Sequence, residues 1–172
     1  MKPIDQVIQT SARISSMEIR GAGRIASAAA ASLRDLALAA EAESLDDFNA
    51  QMKAAAQMLL ETRPTAVSLS NAIRMVMRYE AADLPSAREA VVSNANRFIE
   101  SSEKALEKIG QIGSRRIRDG DVVMTHCNSL AAISVISAAH KSGKKIRVIA
   151  TESRPRFQGH TTIGMLDQMG VE

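Results

Sequence analysis

The sequence is poor in aromatic residues and in cysteine. Its 172 residues include three Phe, one Tyr, no Trp and a single cysteine, Cys127. A core must therefore be built from aliphatic and small side chains. Such a composition favours helices, because alanine loses no side-chain entropy there. One cysteine excludes an internal disulfide, so we expect a free thiol and a cytoplasmic location.

Long apolar runs are also absent. The longest stretches, such as residues 28–31 and 133–139, fall far short of the roughly 20 residues that a membrane helix needs. We therefore expect no membrane span. The N-terminal segment is too polar for the apolar core of a secretory signal. Hydrophobic residues make up 45% of the chain and charged residues 24%, a composition typical of globular proteins.

Positive charge is concentrated in one part of the chain. The net charge is +3, and basic residues clearly outnumber acidic ones in residues 113–160, whereas residues 1–112 are close to balance. A basic segment can contact nucleic acid, an acidic protein or a phosphorylated small molecule. This one offers only Phe157 for stacking on bases. We therefore expect no nucleic-acid partner and favour a small anionic ligand, with a solvated surface as the alternative for most of these charges.

Residues 3–117 have a helical pattern almost throughout. Glycines at 21 and 23 interrupt it, Ser44 followed by Asp47 predicts an N-terminal helix cap, and Pro64 ends the helix that this cap begins. The spacing of apolar residues predicts further helices over residues 24–43, 65–80 and 87–112. The sequence thus predicts an N-terminal helical domain at residues 1–118.

The hydrophobic period changes after Gly120. Residues 122–125 and 146–150 are typical of buried strands, and residues 130–142 and 161–169 are typical of helices. This order predicts parallel strands with right-handed crossovers.

Two parallel strands do not cover their own faces and edges. We therefore expect residues 119–172 to be the first, incomplete part of a Rossmann-like domain, unless a partner chain completes the sheet. The predicted fold class is α+α/β, a helical domain followed by a truncated Rossmann-like parallel α/β domain.

Polar residues follow both predicted strands. The first strand leads into residues 126–129, which include Cys127, and the second leads into residues 151–160, which include Arg154 and Arg156. In open α/β sheets, ligands bind beyond the carboxyl ends of the strands. A thiol near arginines is a candidate acid, base or nucleophile, although a small buried cysteine is the alternative. The three histidines are too dispersed for a metal site.

Four short motifs occur in a characteristic order, namely Arg-Gly-Ala-Gly at 20–23, Thr-Arg-Pro-Thr at 62–65, Thr-His-Cys-Asn-Ser at 125–129 and Glu-Ser-Arg-Pro-Arg-Phe-Gln-Gly at 152–159. Together they resemble the family that joins archaeal ribose 1,5-bisphosphate isomerase, 5-methylthioribose-1-phosphate isomerase and the regulatory subunits of translation initiation factor two B. The resemblance covers nearly the whole chain but only about the first half of a typical member. It implies a helical domain, a Rossmann-like domain and a site between them, with no metal or organic cofactor.

Within this family the chain looks most like the ribose bisphosphate isomerases. It has Gly23 where methylthioribose phosphate isomerases usually have proline, and Ser129 and Leu130 where they have Thr-Gly. The thiol of Cys127 favours an enzyme over a regulatory subunit. The resemblance implies conversion of ribose 1,5-bisphosphate to ribulose 1,5-bisphosphate. The alternative is a non-enzymatic subunit, similar to those of translation initiation factor 2B, that acts through protein contacts.

The resemblance also assigns roles to residues. By similarity, Cys127 moves the proton at the sugar carbon next to the anomeric one, and Glu152 orients Arg154. The residues that would bind phosphate or line the substrate pocket are Arg20, Gly21, Ala22, Gly23, Arg63, Asn128, Ser129, Leu130, Arg154 and Gln158. The family's catalytic aspartate and a later lysine would lie beyond Glu172, so we expect half a site and little isomerase activity from these 172 residues. The expected partners are a phosphorylated sugar and further copies of the chain.

Overall fold

The structure is a computed structural model that describes residues 3–172. Residues 1 and 2 of the predicted helical domain lie outside the described residues. The described part contains seven α-helices and one two-stranded parallel sheet. The elements, in chain order, are α1 (Pro3–Ser15), α2 (Ala22–Ala39), α3 (Leu45–Thr62), α4 (Val67–Val76), α5 (Leu84–Gly113), β1 (Val122–His126), α6 (Leu130–Lys141), β2 (Arg147–Thr151) and α7 (Gln158–Asp167).

Contacts divide the chain into two compact units, Met1–Ser102 and Glu103–Glu172. The division lies inside α5, whereas the change of hydrophobic period places the domain boundary after residue 118. The change in the spacing of hydrophobic residues marks the position along the chain where helices end and strands begin. Contacts report which residues pack together, and the end of α5 packs with the second unit, where Ser134 donates a hydrogen bond to the carbonyl of Leu106 at 2.7 Å.

The first unit is a helical assembly in which α2 packs against α1, α3 and α4. Small buried residues on α2 allow close approach, and the larger buried side chains come both from α2 and from its neighbours. The buried cluster includes Ile14, Leu33, Phe48, Met52, Leu59, Leu69 and Val76. A helical core without tryptophan is thus filled mainly by aliphatic and small side chains, as the composition predicts, with Phe48 among them.

Two predicted helix signals in this unit are confirmed. The Ser44 hydroxyl accepts a hydrogen bond from the amide of Asp47 at 3.1 Å and so caps α3. The same helix ends at Thr62, directly before Arg63 and Pro64. The prediction for α2 is too long, because the helix ends at Ala39 and Ala40 is extended. Arg88, on α5, donates to the carbonyls of Leu38 at 3.1 Å and Ala40 at 2.9 Å, which satisfies the end of α2.

The second unit places β1 and β2 in parallel register, from Val122 opposite Arg147 to His126 opposite Thr151. One face of this sheet packs against a cluster that contains Ile133, Ile136 and Leu166 from α6 and α7. Val148 in β2 has a second backbone partner besides β1, because its amide donates a hydrogen bond to the carbonyl of Glu172 at 2.7 Å.

The prediction that both strands are buried is wrong for one face. Val122 and Ile149 are each 49% exposed and Met124 is 70% exposed, whereas Val123 and Val148 on the other face are half-buried. Side chains alternate between the two faces of a strand. A run of apolar residues therefore shows strand character, but it does not show how many faces are covered.

None of the helices in the described part of the chain combines the length and the hydropathy that a bilayer crossing requires.

Candidate active site

The loops that follow β1 and β2 begin side by side. His126 and Thr151 are register partners at the carboxyl ends of the strands, and His126 Nδ1 lies 2.6 Å from Thr151 Oγ1. Because the two strands are parallel neighbours, both loops leave the same edge of the sheet, as the sequence predicts. This edge carries the candidate site of the second unit.

Cys127 is the first residue after β1 and has a left-handed backbone, with φ of 56°. This conformation is rare for a residue other than glycine; it costs about 1–3 kcal/mol and persists only where neighbours hold it. Its half-buried thiol donates to the hydroxyl of Ser153, with Sγ and Oγ 3.1 Å apart. Sequence reasoning concentrated on arginines near the thiol and missed Ser153. The feature of the sequence that could have identified Ser153 is its position in the loop after the adjacent strand.

Two further side chains brace the loop after β1. The hydroxyl of Thr162, on α7, donates to the carbonyl of Cys127 at 2.6 Å. It also accepts from Asn128 Nδ2 at 3.1 Å, and the same amide nitrogen lies 3.7 Å from Met165 Sδ. Sequence reasoning missed Thr162, because no local pattern connects a threonine on α7 with a loop that lies 35 residues earlier.

Ser129 and Leu130 connect this loop to α6. Ser129 is the N-cap residue, and its hydroxyl accepts from the amide of Ala132 at 3.3 Å. Leu130 is the first helical residue and is half-buried. The cap fixes the start of α6 three residues after Cys127, so that Cys127, Asn128, Ser129 and Leu130 form one short, braced segment.

Glu152 fastens the loop after β2 to α7. Its Oε1 accepts from the amides of Ser153 at 2.5 Å and Gly159 at 3.0 Å, and its Oε2 accepts from the amide of His160 at 3.1 Å. Desolvation acts to raise the pKa of Glu152, but these hydrogen bonds and the His160 ring outweigh it and lower the pKa below the ordinary value. The carboxylate thus caps α7 and accepts hydrogen bonds from backbone amides, instead of orienting Arg154.

The side chains predicted to bind phosphate in this loop are accessible. Arg154 and Arg156 are exposed. Gln158 is half-buried and is the first residue of α7, not a loop residue as the sequence suggested, because the helix begins three residues earlier than predicted. Phe157, with φ of 48°, precedes it in a left-handed conformation. Helix α7 therefore presents its N-terminus at the same edge of the sheet as the thiol.

The first unit contains the other predicted group. Gly21 is the N-cap of α2 with φ of 92°, a conformation that strongly favours glycine, and no side chain caps the helix there. Ala22 and Gly23 form the exposed first turn of α2, and the half-buried Arg20 precedes it. Backbone amides in the first turn of a helix lack partners within the helix, and the helix dipole favours negative charge there. The chemistry of this turn suits an anion.

Arg63 lies at the C-terminal end of α3, also in the first unit. Its Nη1 is 2.9 Å from Met17 Sδ, and Met17 itself has φ of 64°. A thioether is a weak acceptor, so the guanidinium retains donors for an anionic ligand. The structure therefore describes two sets of site residues, one in each unit: Arg20, Gly21, Ala22, Gly23 and Arg63 in the first, and Cys127, Asn128, Ser129, Leu130, Arg154 and Gln158 in the second.

Within residues 3–172, no group of three or more His, Cys, Asp or Glu side chains is arranged to hold a metal ion.

Comparison with known proteins relates both sets of residues to one family. The sequence profile of the initiation factor 2 subunit family matches residues 18–172. The chain belongs to this family. Among curated members of the initiation factor 2 subunit family, it is 51% identical to ribose 1,5-bisphosphate isomerase of Archaeoglobus fulgidus, in a match that covers 98% of this chain and 53% of the relative.

A second relative has the same name. Ribose 1,5-bisphosphate isomerase of Thermococcus kodakarensis is 48% identical, over 99% of this chain and 55% of its own length. Among solved structures of this family, the delta subunit of translation initiation factor eIF-2B from A. fulgidus has a TM-score of 0.81 and 32% identity, over 96% of this chain and 52% of that one. The chain thus spans about half the length of the curated relatives it matches.

Proposed function

We propose that this chain is part of a sugar-phosphate isomerase that converts ribose 1,5-bisphosphate to ribulose 1,5-bisphosphate. The observation that carries the proposal is the thiol of Cys127, held in a left-handed loop against Ser153 at the carboxyl edge of the sheet. Two relatives that are 51% and 48% identical carry the name of this isomerase.

Conversion of ribose 1,5-bisphosphate to the ketose requires opening of the furanose ring, in which the bond between C1 and the ring oxygen O4 breaks and O4 takes a proton. It also requires removal of the hydrogen from C2, next to the anomeric carbon, return of a proton to C1, and formation of the C2 carbonyl with loss of the proton of the C2 hydroxyl. No net oxidation occurs. We assign the proton transfer to Cys127, whose thiolate is the basic form. Ser153 supports this role, because its hydroxyl at 3.1 Å can donate a hydrogen bond to the thiolate after accepting one from the thiol.

The two phosphates of the substrate require cationic and amide donors. In the first unit, the open amides of Gly21, Ala22 and Gly23, with Arg20, would bind one phosphate. Arg63 would add a guanidinium, which offers parallel donors to two phosphate oxygens.

In the second unit, Arg154 and Gln158 would contact phosphate or sugar hydroxyls, since Gln158 begins α7 and Arg154 lies in the loop between β2 and α7, which leaves the edge of the sheet that carries the thiol. Asn128, Ser129 and Leu130 would line the pocket beside the thiol. These assignments use no metal ion and no organic cofactor.

The finer description of the fold is part of the same proposal. We assign residues 1–118 to a helical domain and residues 119–172 to the first part of a Rossmann-like α/β domain. The parallel pairing of β1 and β2 and the helix between them support this assignment. We also propose a homo-oligomer, since large apolar side chains such as Leu38, Val67 and Met75 are exposed on the helical unit, and a cytoplasmic setting, which suits an unpaired thiol.

A non-enzymatic subunit similar to those of translation initiation factor 2B is the other candidate. The delta subunit from A. fulgidus shares 32% identity with this chain. The isomerases share 51% and 48%. The higher identity, together with a thiol in the position expected for the acid–base group, favours the enzyme.

The test compares the full-length gene product with its Cys127→Ser and Arg63→Lys variants. Cys127→Ser should lower kcat by at least about 100-fold, since proton transfer loses its base, while the Kd for ribose 1,5-bisphosphate stays unchanged. Arg63→Lys should weaken binding but leave the alkylation rate of Cys127 unaltered. Wild-type turnover by Cys127→Ser would contradict the proposal. Recovery of initiation factor two in a pull-down, without turnover, would support the subunit instead.

A further inference from the structure

Among the described residues of the second unit, Thr162 is the one polar residue that is fully buried, with an exposed fraction of 0%. We propose that Thr162 is a positioning residue that holds the Cys127 thiol in its reactive orientation. The inference rests on the isomerase function proposed above. It assigns the side chain of Thr162 to the reaction although this side chain does not touch the thiol.

The hydroxyl of Thr162 donates one hydrogen bond and accepts another, and both go to the loop after β1. Its hydrogen goes to the carbonyl of Cys127 at 2.6 Å, and its oxygen receives the side-chain amide of Asn128 at 3.1 Å. Because the side chain is fully buried, water cannot replace either hydrogen bond without a rearrangement. The hydroxyl of Thr162 on α7 is thus hydrogen-bonded both to the backbone of Cys127 and to the side chain of Asn128.

The hydrogen bond to the carbonyl of Cys127 helps to fix the backbone conformation of this residue, and that conformation affects where the thiol points. The residue has φ of 56°, and a left-handed conformation relaxes to negative φ when nothing holds it. Rotation of φ moves the Cβ and with it Sγ, which now lies 3.1 Å from Ser153 Oγ. The thiol is therefore held from two sides, by Ser153 at the sulfur and by Thr162 at the carbonyl.

The position of Thr162 in α7 is itself determined locally. Helix α7 is fastened to the end of β2 by the bonds from the amides of Gly159 and His160 to Glu152. One turn further along the helix, Thr162 then faces the loop after β1, where it can reach Cys127. Both loops at the carboxyl edge of the sheet are in this way connected to a single helix.

The test uses three variants of the full-length gene product. Thr162→Val keeps the shape and removes the hydroxyl. Thr162→Ser keeps the hydroxyl and removes the methyl group. Thr161→Val is the matched control, because the adjacent threonine on the same helix is not among the contacts to this loop. Each variant is assayed for kcat and KM with ribose 1,5-bisphosphate and for the rate at which iodoacetamide alkylates Cys127, the only cysteine of these 172 residues. Mass spectrometry of the peptide that contains Cys127 measures that rate specifically.

We expect Thr162→Val to lower kcat about 10-fold, the consequence of losing a buried hydrogen bond. KM should stay within about twofold, because Thr162 is not assigned to the substrate. The alkylation rate should change at least about threefold, since the sulfur moves from Ser153. Thr162→Ser and Thr161→Val should behave as the wild type in all three measurements.

Several results would overturn the proposal. Equal alkylation rates for wild type and Thr162→Val would show that the hydroxyl does not position the sulfur. A loss of kcat in folded Thr162→Ser as large as in Thr162→Val would assign the effect to the methyl group. If Thr162→Val does not fold, Thr162→Ser decides, since it must retain wild-type rates. Absence of turnover in every protein would contradict the proposed isomerase function only. The positioning of the thiol by Thr162 would still be tested, because alkylation measures it without turnover.

Discussion

The carboxylate of Glu152 accepts a hydrogen bond from the backbone amide of Gly159 at 3.0 Å, which joins the end of β2 to the first turn of α7. A second amide, that of His160, reaches the other carboxylate oxygen at 3.1 Å. Negative charge at a helix N-terminus is stabilised by the helix dipole and by the open amides. Since α7 also carries Thr162, this contact connects the helix cap to the loop that holds Cys127.

The cap formed by Glu152 should be sensitive to acid. The pKa of this carboxyl is lower in the folded chain than its ordinary value of 4.5. Its stabilising contribution is therefore complete above about pH 4.5 and is lost as the pH falls through the lower folded pKa. We expect the protection of the Gly159 and His160 amides against hydrogen exchange, measured by NMR, to fall across that acid range.

Two comparisons make the acid test specific. The Glu152→Gln variant, which has no titratable group at this position, should show reduced protection at neutral pH and no further loss from this site on acidification. The amide of Ile133, which donates to the carbonyl of Ser129 at 2.9 Å in another helix, serves as the internal control. Unchanged protection of the Gly159 amide in wild-type protein throughout the acid range would contradict the prediction.

Gly159 is required by a close approach of two backbones. A Cβ at this position would lie 2.8 Å from the carbonyl oxygen of Thr151 and 3.2 Å from the Cα of Glu152. Backbone atoms in a strand end cannot move aside as a flexible side chain can. Gly159→Ala should therefore destabilise the protein by about 1–3 kcal/mol in urea unfolding followed by circular dichroism.

The same helix offers a matched glycine. A Cβ at Gly164 would have no neighbour within 4 Å, and the residue is exposed in the interior of α7. Gly164→Ala should raise stability by about 0.5–1 kcal/mol, because alanine loses less backbone entropy in a helix than glycine does. Equal effects of the two substitutions would show that the contact with Thr151 does not limit residue 159.

Arg88 should not be replaceable by lysine. Its guanidinium donates to the carbonyls of Ala37, Leu38 and Ala40 at the end of α2, and its Cζ lies 5.6 Å from the centre of the Phe48 ring. A lysine ammonium lacks the planar fork that serves several carbonyls and stacks on an aromatic face. Arg88→Lys should reduce the free energy of unfolding by about 1–2 kcal/mol.

The control for Arg88 is Arg97, which lies on the same helix, α5. Arg97 is exposed and makes a long contact of 3.4 Å to Ser93 Oγ within the helix. Arg97→Lys should change stability by no more than about 0.5 kcal/mol in the same denaturation experiment. A large effect at Arg97 and none at Arg88 would mean that the end of α2 does not depend on the guanidinium.

Two leucines on α2 should differ strongly although they are five residues apart. Leu33 has an exposed fraction of 0%, and Leu38 is 59% exposed. Leu33→Ala should cost about 2–5 kcal/mol, because it removes apolar contacts and leaves a cavity. Leu38→Ala should change stability by no more than about 0.5 kcal/mol. Thermal unfolding of both variants measures the difference, and similar melting temperatures would contradict the assignment of the core.

Local signals predicted the helices and strands better than their ends. The cap at Ser44 and the stop at Pro64 depend only on neighbouring residues, and the structure confirms both. The predicted end of α2 at residue 43 is wrong, because the structure ends that helix at Ala39 and Arg88, which is 48 residues from Ala40, satisfies its last carbonyls. The start of α7 was placed too late, since Glu152 provides the cap from the preceding loop.

The sequence by itself determined the order of the elements and the parallel strands and predicted the candidate site residues, because periodicity and short motifs are local properties of the chain. Only the tertiary structure decided that Ser153 lies on the thiol and that Thr162 holds the carbonyl of Cys127. It also decided that one face of the sheet is exposed. These features depend on strand register and helix packing, which bring together residues that are far apart in sequence, and no local pattern records such contacts.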